Sequence, residues 1–510
     1  MSTIGATQDR RTLNHYSLHY VLTAIYRKSD VYYHLALAKE VIHAETSRFG
    51  AGYALVGWRR GSGSRPPPQF LPNLFPFPNS TGVLETFNTT GNVDLTGPFF
   101  QSLGTNGRSC ATCHQASDAW SVSAAHVADR FEATDGLDPI FRPNDGSNCD
   151  NLDTSTVEAR REAYSLLISR GLIRIFLPVP AGAEFDVVNV KNPYGCNDKS
   201  TLSMYRRPLP ATNLRFLSTV MWDGRESSLQ TGTKPITFAT NPSDLLFDLA
   251  HQSVDATNGH AQATTPPNSQ QQQQIVTFEM ALSTAQAIDT VAGSLNAASA
   301  TGGPVSLVDQ PFFVGINDPL GQNPFGTPFN PVIFTLFTKS WGNASSGDAA
   351  TRRASILRGQ TLFNSRPINI DGVAGINDVL GKPLQGTCGT CHDTFNVGNH
   401  SVSAPLNIGV ADLTNPLGVN YLPVITLRQK ADPTRKISTT DPGRALVTGK
   451  WADIGKVKGP ILRGLAARAP YFHNGSAAGL KEVIQFYNVR FSMGLTDAEQ
   501  ADLVAFLSVL

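Results

Sequence analysis

Helical and strand patterns follow one another along the chain. Apolar residues three or four positions apart predict amphipathic helices, and these cover residues 160–170, 244–262, 275–287, 351–363, 480–491 and 497–510. Two apolar runs, at 172–179 and 185–190, predict a pair of strands. Thr496 and Glu499 have the spacing of a capping box, which predicts that the last helix begins at Asp497.

Segments rich in glycine, proline or glutamine separate these elements. Residues 61–78 have the composition of a linker or an extended arm, and residues 264–274 end in five glutamines and indicate a low-complexity break. Residues 293–343 are rich in Gly, Pro and Phe, which predicts a long ordered insertion or an interdomain connection. With 44 glycines, 33 prolines and 16% charged residues, the composition is typical of a loop-rich globular protein. The predicted division is an N-terminal extension of doubtful origin (1–64), a first domain (65–263), an insertion or connection (264–345) and a second domain (346–510).

The charge balance argues against two classes of partner. Lys and Arg number 41 against 40 Asp and Glu, a formal charge of +1, so the chain lacks the basic excess of a nucleic-acid-binding protein or of one that binds anionic membranes.

No apolar stretch reaches the roughly 18 to 20 residues of a membrane span. The first 60 residues also lack the pattern of a signal peptide. We therefore expect that the start codon is misplaced or that the leader is missing, and assign these residues no function.

Two short segments carry the chemistry of the chain, and both are CxxCH motifs. In such a motif two thiols add to the vinyl groups of a haem, and the histidine supplies an axial nitrogen to the iron. A zinc site shared by the two segments is disfavoured, because it would leave both histidines redundant. The sequence therefore predicts two covalently bound haem c groups, one on Cys110, Cys113 and His114 and one on Cys388, Cys391 and His392.

The two remaining cysteines, Cys149 and Cys196, lie in loop-like surroundings. Cytochromes c are completed outside the cytoplasm, where a disulfide can persist. We therefore predict that these two cysteines are bonded, with two free thiols as the alternative. The same reasoning predicts a periplasmic or secreted protein.

Two aromatic residues have more than one interpretation from the sequence alone. Trp222 follows an apolar run and opens a compact turn with Asp223 and Arg225. Trp222 is therefore either a core aromatic or a functional residue. Asp223 and Arg225 form either an ion pair or part of a catalytic site. Tyr487 shares a helix face with Ile484 and other apolar residues, as an ordinary core aromatic does.

The order of the motifs resembles a known family. CxxCH, WDGR, a second CxxCH, APYFHNGS and a terminal TDAEQADLVAFL helix are similar to the bacterial di-haem cytochrome c peroxidases and their relatives, which include MauG and the extracellular rubber oxygenases. The resemblance covers residues 95–510 except 265–345. It implies a mainly α fold, with two cytochrome c-like haem domains that face each other across the WDGR segment and carry long loop insertions. It also implies that the haem at His114 reacts with peroxide or oxygen, that the C-terminal haem passes electrons, and that Trp222 relays them.

The resemblance implies Tyr487 as the distal ligand of the C-terminal haem, opposite His392. Tyr487 lies fourteen residues after His473, where ordinary peroxidases have methionine and MauG has tyrosine. A thioether favours Fe(II), whereas a phenolate favours Fe(III) and higher valence. An unperturbed phenol has a pKa of about 10, so ligation requires the metal to displace its proton. The alternative ligands are Met493, His400 and His473.

The chain also departs from the family. The glutamine and glutamate that handle peroxide protons in ordinary peroxidases correspond here to Gly232 and about Pro242. Proton transfer must therefore come from other residues. His260 is the catalytic candidate, with Gln262 beside it. The alternative is that both residues lie on the surface of a helix. Phe238 corresponds to an important phenylalanine of the rubber oxygenases. Calcium between the domains is usual in the peroxidases, but no clear ligand set supports it here.

These observations support three functions. The first is a di-haem oxidoreductase that reduces hydrogen peroxide with electrons from a small redox protein, a cytochrome c or a cupredoxin. The second is a MauG-like or rubber-oxygenase-like enzyme that oxidises a protein side chain or an organic substrate. The third is a non-catalytic electron carrier, which predicts two six-coordinate haems that ignore peroxide.

Overall fold

The computed structural model describes most of the chain after the linker, over residues 69–226, 241–342 and 346–510. The predicted extension 1–64 lies outside these residues, and so do the two family-derived positions Gly232 and Phe238. Within the described ranges, no helix has both the length and the apolar character that crossing a membrane requires.

The structure contains helices and strands throughout the described residues. The α-helices are Ala124–Thr134, Val157–Ala163, Ser165–Arg170, Pro242–Gly259, Ser269–Ala281, Asp348–Ser365, Asn377–Leu380, Ala445–Thr448, Leu480–Arg490 and Asp497–Leu507. The strands are β1 Phe70–Leu71, β2 Phe77–Asn79, β3 Gly82–Asn88, β4 Val93–Asp94, β5 Ile173–Pro178, β6 Phe185–Lys191, β7 Thr201–Arg206, β8 Leu282–Asp289, β9 Gly293–Ser294, β10 Ile368–Ile370, β11 Leu384–Gly386, β12 Val424–Gln429 and β13 Lys436–Thr439.

The fold is mixed α/β, so the predicted mainly α class is wrong. Helices account for 31% of the structure and strands for 17%. The strands of the described residues form several small sheets, of which the four-stranded sheet has the order β2-β3-β8-β9 and the three-stranded sheet the order β13-β12-β6. Two of these pairings, β3–β8 and β6–β12, join segments about 200 residues or more apart, and local patterns do not reveal such pairings.

The four-stranded sheet supports the first CxxCH segment. Residues of β3 are alternately more and less buried, as expected for a strand with one face on the core. β3 pairs with β8, which belongs to the predicted insertion, and the hydroxyls of Thr86 and Thr284 lie 2.9 Å apart between them. Thr86 also accepts a hydrogen bond of 3.0 Å from the indole of Trp120. The predicted insertion is therefore part of the scaffold around the first motif.

The two strands predicted as a pair are present, but they pair elsewhere. β5 pairs with β7, and β6 pairs with β12, which follows the second CxxCH segment. Pro68–Leu510 forms one compact unit, and the β6–β12 pair joins the first predicted haem domain to the second inside it. The boundaries between the predicted domains stay predictions.

The helix predictions differ in their outcome. Four of the six correspond to helices with ends shifted by a few residues, and the capping box of Thr496 and Glu499 is confirmed. The helix predicted over 160–170 is interrupted at Tyr164. The helix predicted over 275–287 instead begins at Ser269, inside the glutamine-rich segment, and ends at Ala281, where β8 follows.

The disulfide between Cys149 and Cys196 is confirmed, with 5.8 Å between the two Cα atoms. It closes a loop of 47 residues that contains β5 and β6.

The second motif has a different support, in which the helix Asp348–Ser365 packs against the terminal helix. Gly359 allows this packing, because a Cβ atom there would lie 2.0 Å from the carbonyl oxygen of Asp502.

Candidate haem-binding sites

Both CxxCH segments begin with the same local structure. Ser109 and Thr112 form a capping box around a short 3-10 turn, and Thr387 and Thr390 do the same in the second segment. The amide of each histidine then donates to the carbonyl of the first cysteine, at 3.0 Å for His114 and 3.2 Å in the second segment. This turn places both sulfurs and the imidazole on one short piece of backbone, as covalent attachment of haem requires.

The two histidines are oriented in the same way. Nδ1 of His114 lies 2.9 Å from the carbonyl oxygen of Trp120, and Nδ1 of His392 lies 2.6 Å from that of Gly398. A carbonyl can only accept, so Nδ1 carries the proton and Nε2 keeps its lone pair. Burial lowers the pKa of both imidazoles, which favours the neutral form. Neutral Nε2 with a fixed tautomer is the form of histidine that ligates a metal.

A cavity beside the first motif is lined by Cys110, Cys113 and His114. Arg207 and Lys458 line the same cavity, and both are buried. Among the described residues neither forms an ion pair with a carboxylate, and burial lowers the pKa of Lys458 to about 7 and that of Arg207 to about 9. Buried cations without an anionic partner are unfavourable, and the propionates of a haem would provide such a partner. The thiols, the imidazole and these cations fit a haem, whose attachment here stays a prediction.

The structure places Tyr487 next to His392, with ring centroids 6.5 Å apart and ring planes at 70°. Burial raises the pKa of the Tyr487 phenol, and the neighbouring cysteine sulfurs raise it further. Of the alternative ligands, Met493 lies in the same buried cluster, whereas Nδ1 of His400 already contacts Asp393 at 3.1 Å. The arrangement is compatible with Tyr487 as the distal ligand, which stays a prediction.

Trp222 lies in the wall of the cavity at the first motif and is 9% exposed. Its indole donates to the carbonyl of Arg207 at 2.7 Å, and its own carbonyl accepts from the amide of Lys458, also at 2.7 Å. The ring of His473 is 6.0 Å away, and burial lowers the pKa of that histidine to about 4. Trp222 is therefore fixed between the cavity at the first motif and the segment that follows the second motif.

The rest of the WDGR turn forms a buried ion-pair network. Asp223 contacts both Arg206 and Arg225, and Arg206 also binds Asp441 at 2.7 Å. The carboxylate of Asp223 is desolvated, but the two guanidinium groups outweigh this effect and its pKa is lowered. The ion pair between Asp223 and Arg225 was one of the two interpretations of the sequence. Because Asp441 follows the second motif, the network joins the two predicted domains.

The structure places His260 at the cavity of the first motif, as a lining residue whose side chain is 38% exposed. Its Nδ1 contacts Asp145, and Asp145 in turn contacts Arg108 next to the motif. Gln262 is outside the cavity lining and binds Asn106 through its side chain at 3.4 Å. A catalytic role for His260 stays a prediction.

Glu279 is a residue that the sequence reasoning missed. It lines the cavity, is 6% exposed, and its Oε2 has no hydrogen-bond partner in the described part of the chain. Burial raises the pKa of this carboxyl to about 8, and its charge contributes, after burial, to the raised pKa of Cys110. Glu279 lies in the segment interpreted as an insertion. The available signal was a single acid between the apolar residues Phe278 and Met280.

The comparisons with known proteins agree with the motifs. No family model matches the chain. Cytochrome-c peroxidase IdrP1 of Denitromonas iodatirespirans is 40% identical over 81 residues, which are 14% of this chain and 22% of that protein. IdrP2 of the same organism is 34% identical over 136 residues, or 25% and 36% of the two chains. IdrP2 of Pseudomonas sp. (strain SCT) is 34% identical over 137 residues, or 24% and 35%.

The matches therefore span only about a fifth to just over a third of the length of these relatives. Among solved structures, a MauG-like protein associated with microbial copper homeostasis is 14% identical, with a TM-score of 0.30 over 80% of this chain and 85% of that one. The matches to cytochrome-c peroxidases confirm the resemblance to cytochrome c peroxidases that the motifs indicated.

Proposed function

We propose that this chain is a di-haem c-type peroxidase, which reduces hydrogen peroxide to two waters with two protons and two electrons. The observation that carries the proposal is the pair of CxxCH turns with closely similar histidine contacts, of which the first opens into a cavity. Curated relatives named cytochrome-c peroxidases support the same reaction class. A bound haem supplies an iron that exchanges electrons with peroxide.

The protein side chains have separate roles in this proposal. The cysteines of the two motifs would form the thioether bonds, and Nε2 of His114 and of His392 would each hold one haem iron. Tyr487 would be a further ligand at the second site. Because burial keeps its phenol protonated, ligation requires a nearby cation strong enough to displace that proton.

Trp222 would couple the two sites, on the route of electrons from the C-terminal to the N-terminal haem. The support is the position of Trp222 in the first cavity wall, with hydrogen bonds to Arg207 and Lys458 on both sides. The bond to the Arg207 carbonyl holds the indole in one orientation, and the bond from the Lys458 amide fixes the backbone of Trp222. The electron donor is a small redox protein, a cytochrome c or a cupredoxin.

The reaction consumes protons, and Glu279 is the group that we assign to deliver them inside the cavity. With a pKa of about 8 the carboxyl is protonated at neutral pH, and its free oxygen leaves it available to a ligand. His260 is half-exposed and lines the same cavity, so it provides a connection between the cavity and solvent. Together they replace the proton-handling pair that the family has at other positions.

Tyr487 favours one alternative, the oxidation of a protein side chain or an organic molecule. A phenolate ligand stabilises higher iron valence more than a thioether does, which suits an enzyme that stores oxidising equivalents. This alternative differs from the peroxidase in its reductant. It predicts that peroxide is consumed without a redox protein when the organic substrate is present.

Electron paramagnetic resonance of the ferric protein, before and after one equivalent of hydrogen peroxide, tests the proposal. We expect a high-spin signal from the first site that disappears with peroxide, and a low-spin signal that changes in Tyr487→Phe. Two low-spin signals that ignore both treatments would leave only the electron carrier.

We also propose a periplasmic or secreted location, since the disulfide Cys149–Cys196 is typical of oxidising compartments.

A further inference from the structure

Three buried polar side chains meet next to the second CxxCH segment. They are Asp318, Asp393 and His400, which are 1%, 0% and 5% exposed. One potential ligand atom from each lies within 4.8 Å of the other two. Asp393 directly follows the motif, whereas Asp318 belongs to the segment that the sequence interpretation treated as an insertion.

The hydrogen bonds of this cluster leave one carboxylate oxygen unsatisfied. Asp393 accepts from the amide of Ser401 at 2.5 Å, and from the Ser401 hydroxyl and Nδ1 of His400 at 3.1 Å each. Oδ2 of Asp318 accepts from the amide of Gln322 at 2.8 Å. Oδ1 of Asp318, in contrast, is buried and has no partner among the described residues. A buried carboxylate oxygen without a donor is unfavourable, and a bound cation would supply the missing partner.

The donor set selects the kind of cation. Two carboxylates and an imidazole suit a divalent first-row transition-metal ion, which accepts oxygen and nitrogen ligands together. Calcium takes six to eight oxygen ligands, and this cluster offers a histidine instead. We propose that Asp318, Asp393 and His400 bind one divalent transition-metal ion, with Zn²⁺ as the probe. Two buried negative charges are then balanced by a charge of +2.

A proton on His400 is the competing explanation. Burial alone would lower the pKa of His400, but the carboxylates of Asp393 and Asp318 outweigh this effect and raise it. An imidazolium would therefore satisfy part of the cluster. Burial also raises the pKa of Asp318, so a proton on that carboxyl is a second competitor for the ion. Binding of the metal ion displaces this proton, so Zn²⁺ affinity must rise with pH.

The position of the site gives the ion a structural role. Asp318 lies in the loop that precedes Ile333, and the side chain of Ile333 packs over Gly389 of the second motif. The ion would therefore tie this loop to the residue that follows His392. Its occupancy is independent of the peroxidase reaction, and peroxide turnover is not needed to measure it.

The full-length holoprotein is first dialysed against a chelator and then titrated with Zn²⁺. The bound metal is counted by mass spectrometry. We expect one Zn²⁺ per chain in addition to the haem iron. Asp318→Asn should weaken the affinity by at least about tenfold. The control is His251→Ala, which removes the histidine of a more exposed cluster with Glu226 and Asp255 and should leave the stoichiometry unchanged.

Two results would overturn the proposal. One is the absence of any bound Zn²⁺, and the other is a bound ion that is lost in His251→Ala but retained in Asp318→Asn. If Asp318→Asn does not fold, X-ray absorption at the Zn edge of the unaltered protein identifies the ligands of the bound ion. Oxygen ligands with one imidazole support the site, and sulfur ligands or several imidazoles refute it.

Discussion

Replacement of Glu279 by glutamine tests the proposed proton source at the first site. The carboxyl is buried in the cavity wall, and burial raises its pKa from 4.5 to about 8. Glutamine has nearly the same shape but cannot ionise or deliver a proton. Glu279→Gln therefore separates the role of the proton from that of packing.

The raised pKa predicts a defined effect on stability. Between pH 4.5 and about 8 the folded protein holds a proton on Glu279 that the unfolded chain has lost. The stabilisation from this protonation is complete below pH 4.5 and is lost as the pH rises through about 8. Each pH unit in this window lowers the free energy of unfolding by about 1.4 kcal/mol, or roughly 5 kcal/mol in total. Glu279→Gln should lack this contribution and become the more stable form at high pH.

The same substitution should reduce peroxide turnover. A positioned acid or base typically contributes 10² to 10⁴ in rate, so we expect kcat to fall by about a hundredfold or more. In the unaltered protein the rate should decline as the pH rises through about 8, where the carboxyl loses its proton, and this decline should be absent in the variant.

The assays are urea unfolding and steady-state peroxide reduction of the holoprotein between pH 5 and 9. Glu158→Gln is the matched control, because Glu158 is exposed in a short helix away from the cavity lining. It should change neither profile. If Glu279→Gln has the same pH dependence of stability as the unaltered protein, together with unchanged kcat, Glu279 is not a buried acid in the holoprotein and the reasoning fails.

Three further substitutions test other parts of the proposal. Tyr487→Phe should change the low-spin resonance signal and raise the reduction potential of the second haem, since an anionic ligand is lost; an unchanged signal would assign the ligand elsewhere. Trp222→Phe should slow electron transfer between the haems, measured by stopped-flow absorbance, without lowering the haem content. Replacement of both Cys149 and Cys196 by alanine should lower the free energy of unfolding by about 2 to 4 kcal/mol, measured by urea denaturation against the oxidised protein; equal stability would contradict it.

The parts of the structure that could be predicted depend on short stretches of sequence. The capping box at Thr496 needs only four adjacent residues, and the haem motifs need five. The disulfide was predictable because Cys149 and Cys196 were the two cysteines left over. Such features follow from local geometry or from simple counting, so distant parts of the chain do not change them.

The sheets and the buried carboxylates could not be predicted in this way. β3 finds its partner β8 about 200 residues later, and no local period of apolar residues identifies that partner. The glutamine-rich start of the helix Ser269–Ala281 was missed because glutamine favours helices through backbone propensity, without an apolar stripe. Glu279 and Asp318 look like ordinary acids in sequence, and only the folded structure buries them.

The two CxxCH turns are nearly the same, so any difference between the sites must come from what surrounds each histidine. Around His114 the surroundings are a cavity with Glu279 in its wall, whereas Tyr487 packs beside His392. If the two sites have the separate roles proposed here, substitutions at the two sites should have separate effects. Glu279→Gln should slow peroxide reduction and leave the low-spin signal unchanged, and Tyr487→Phe should alter that signal in both the single and the double variant. If Glu279→Gln changed the low-spin signal as much as Tyr487→Phe does, the two sites would not be distinct in the way that the surroundings of the histidines imply.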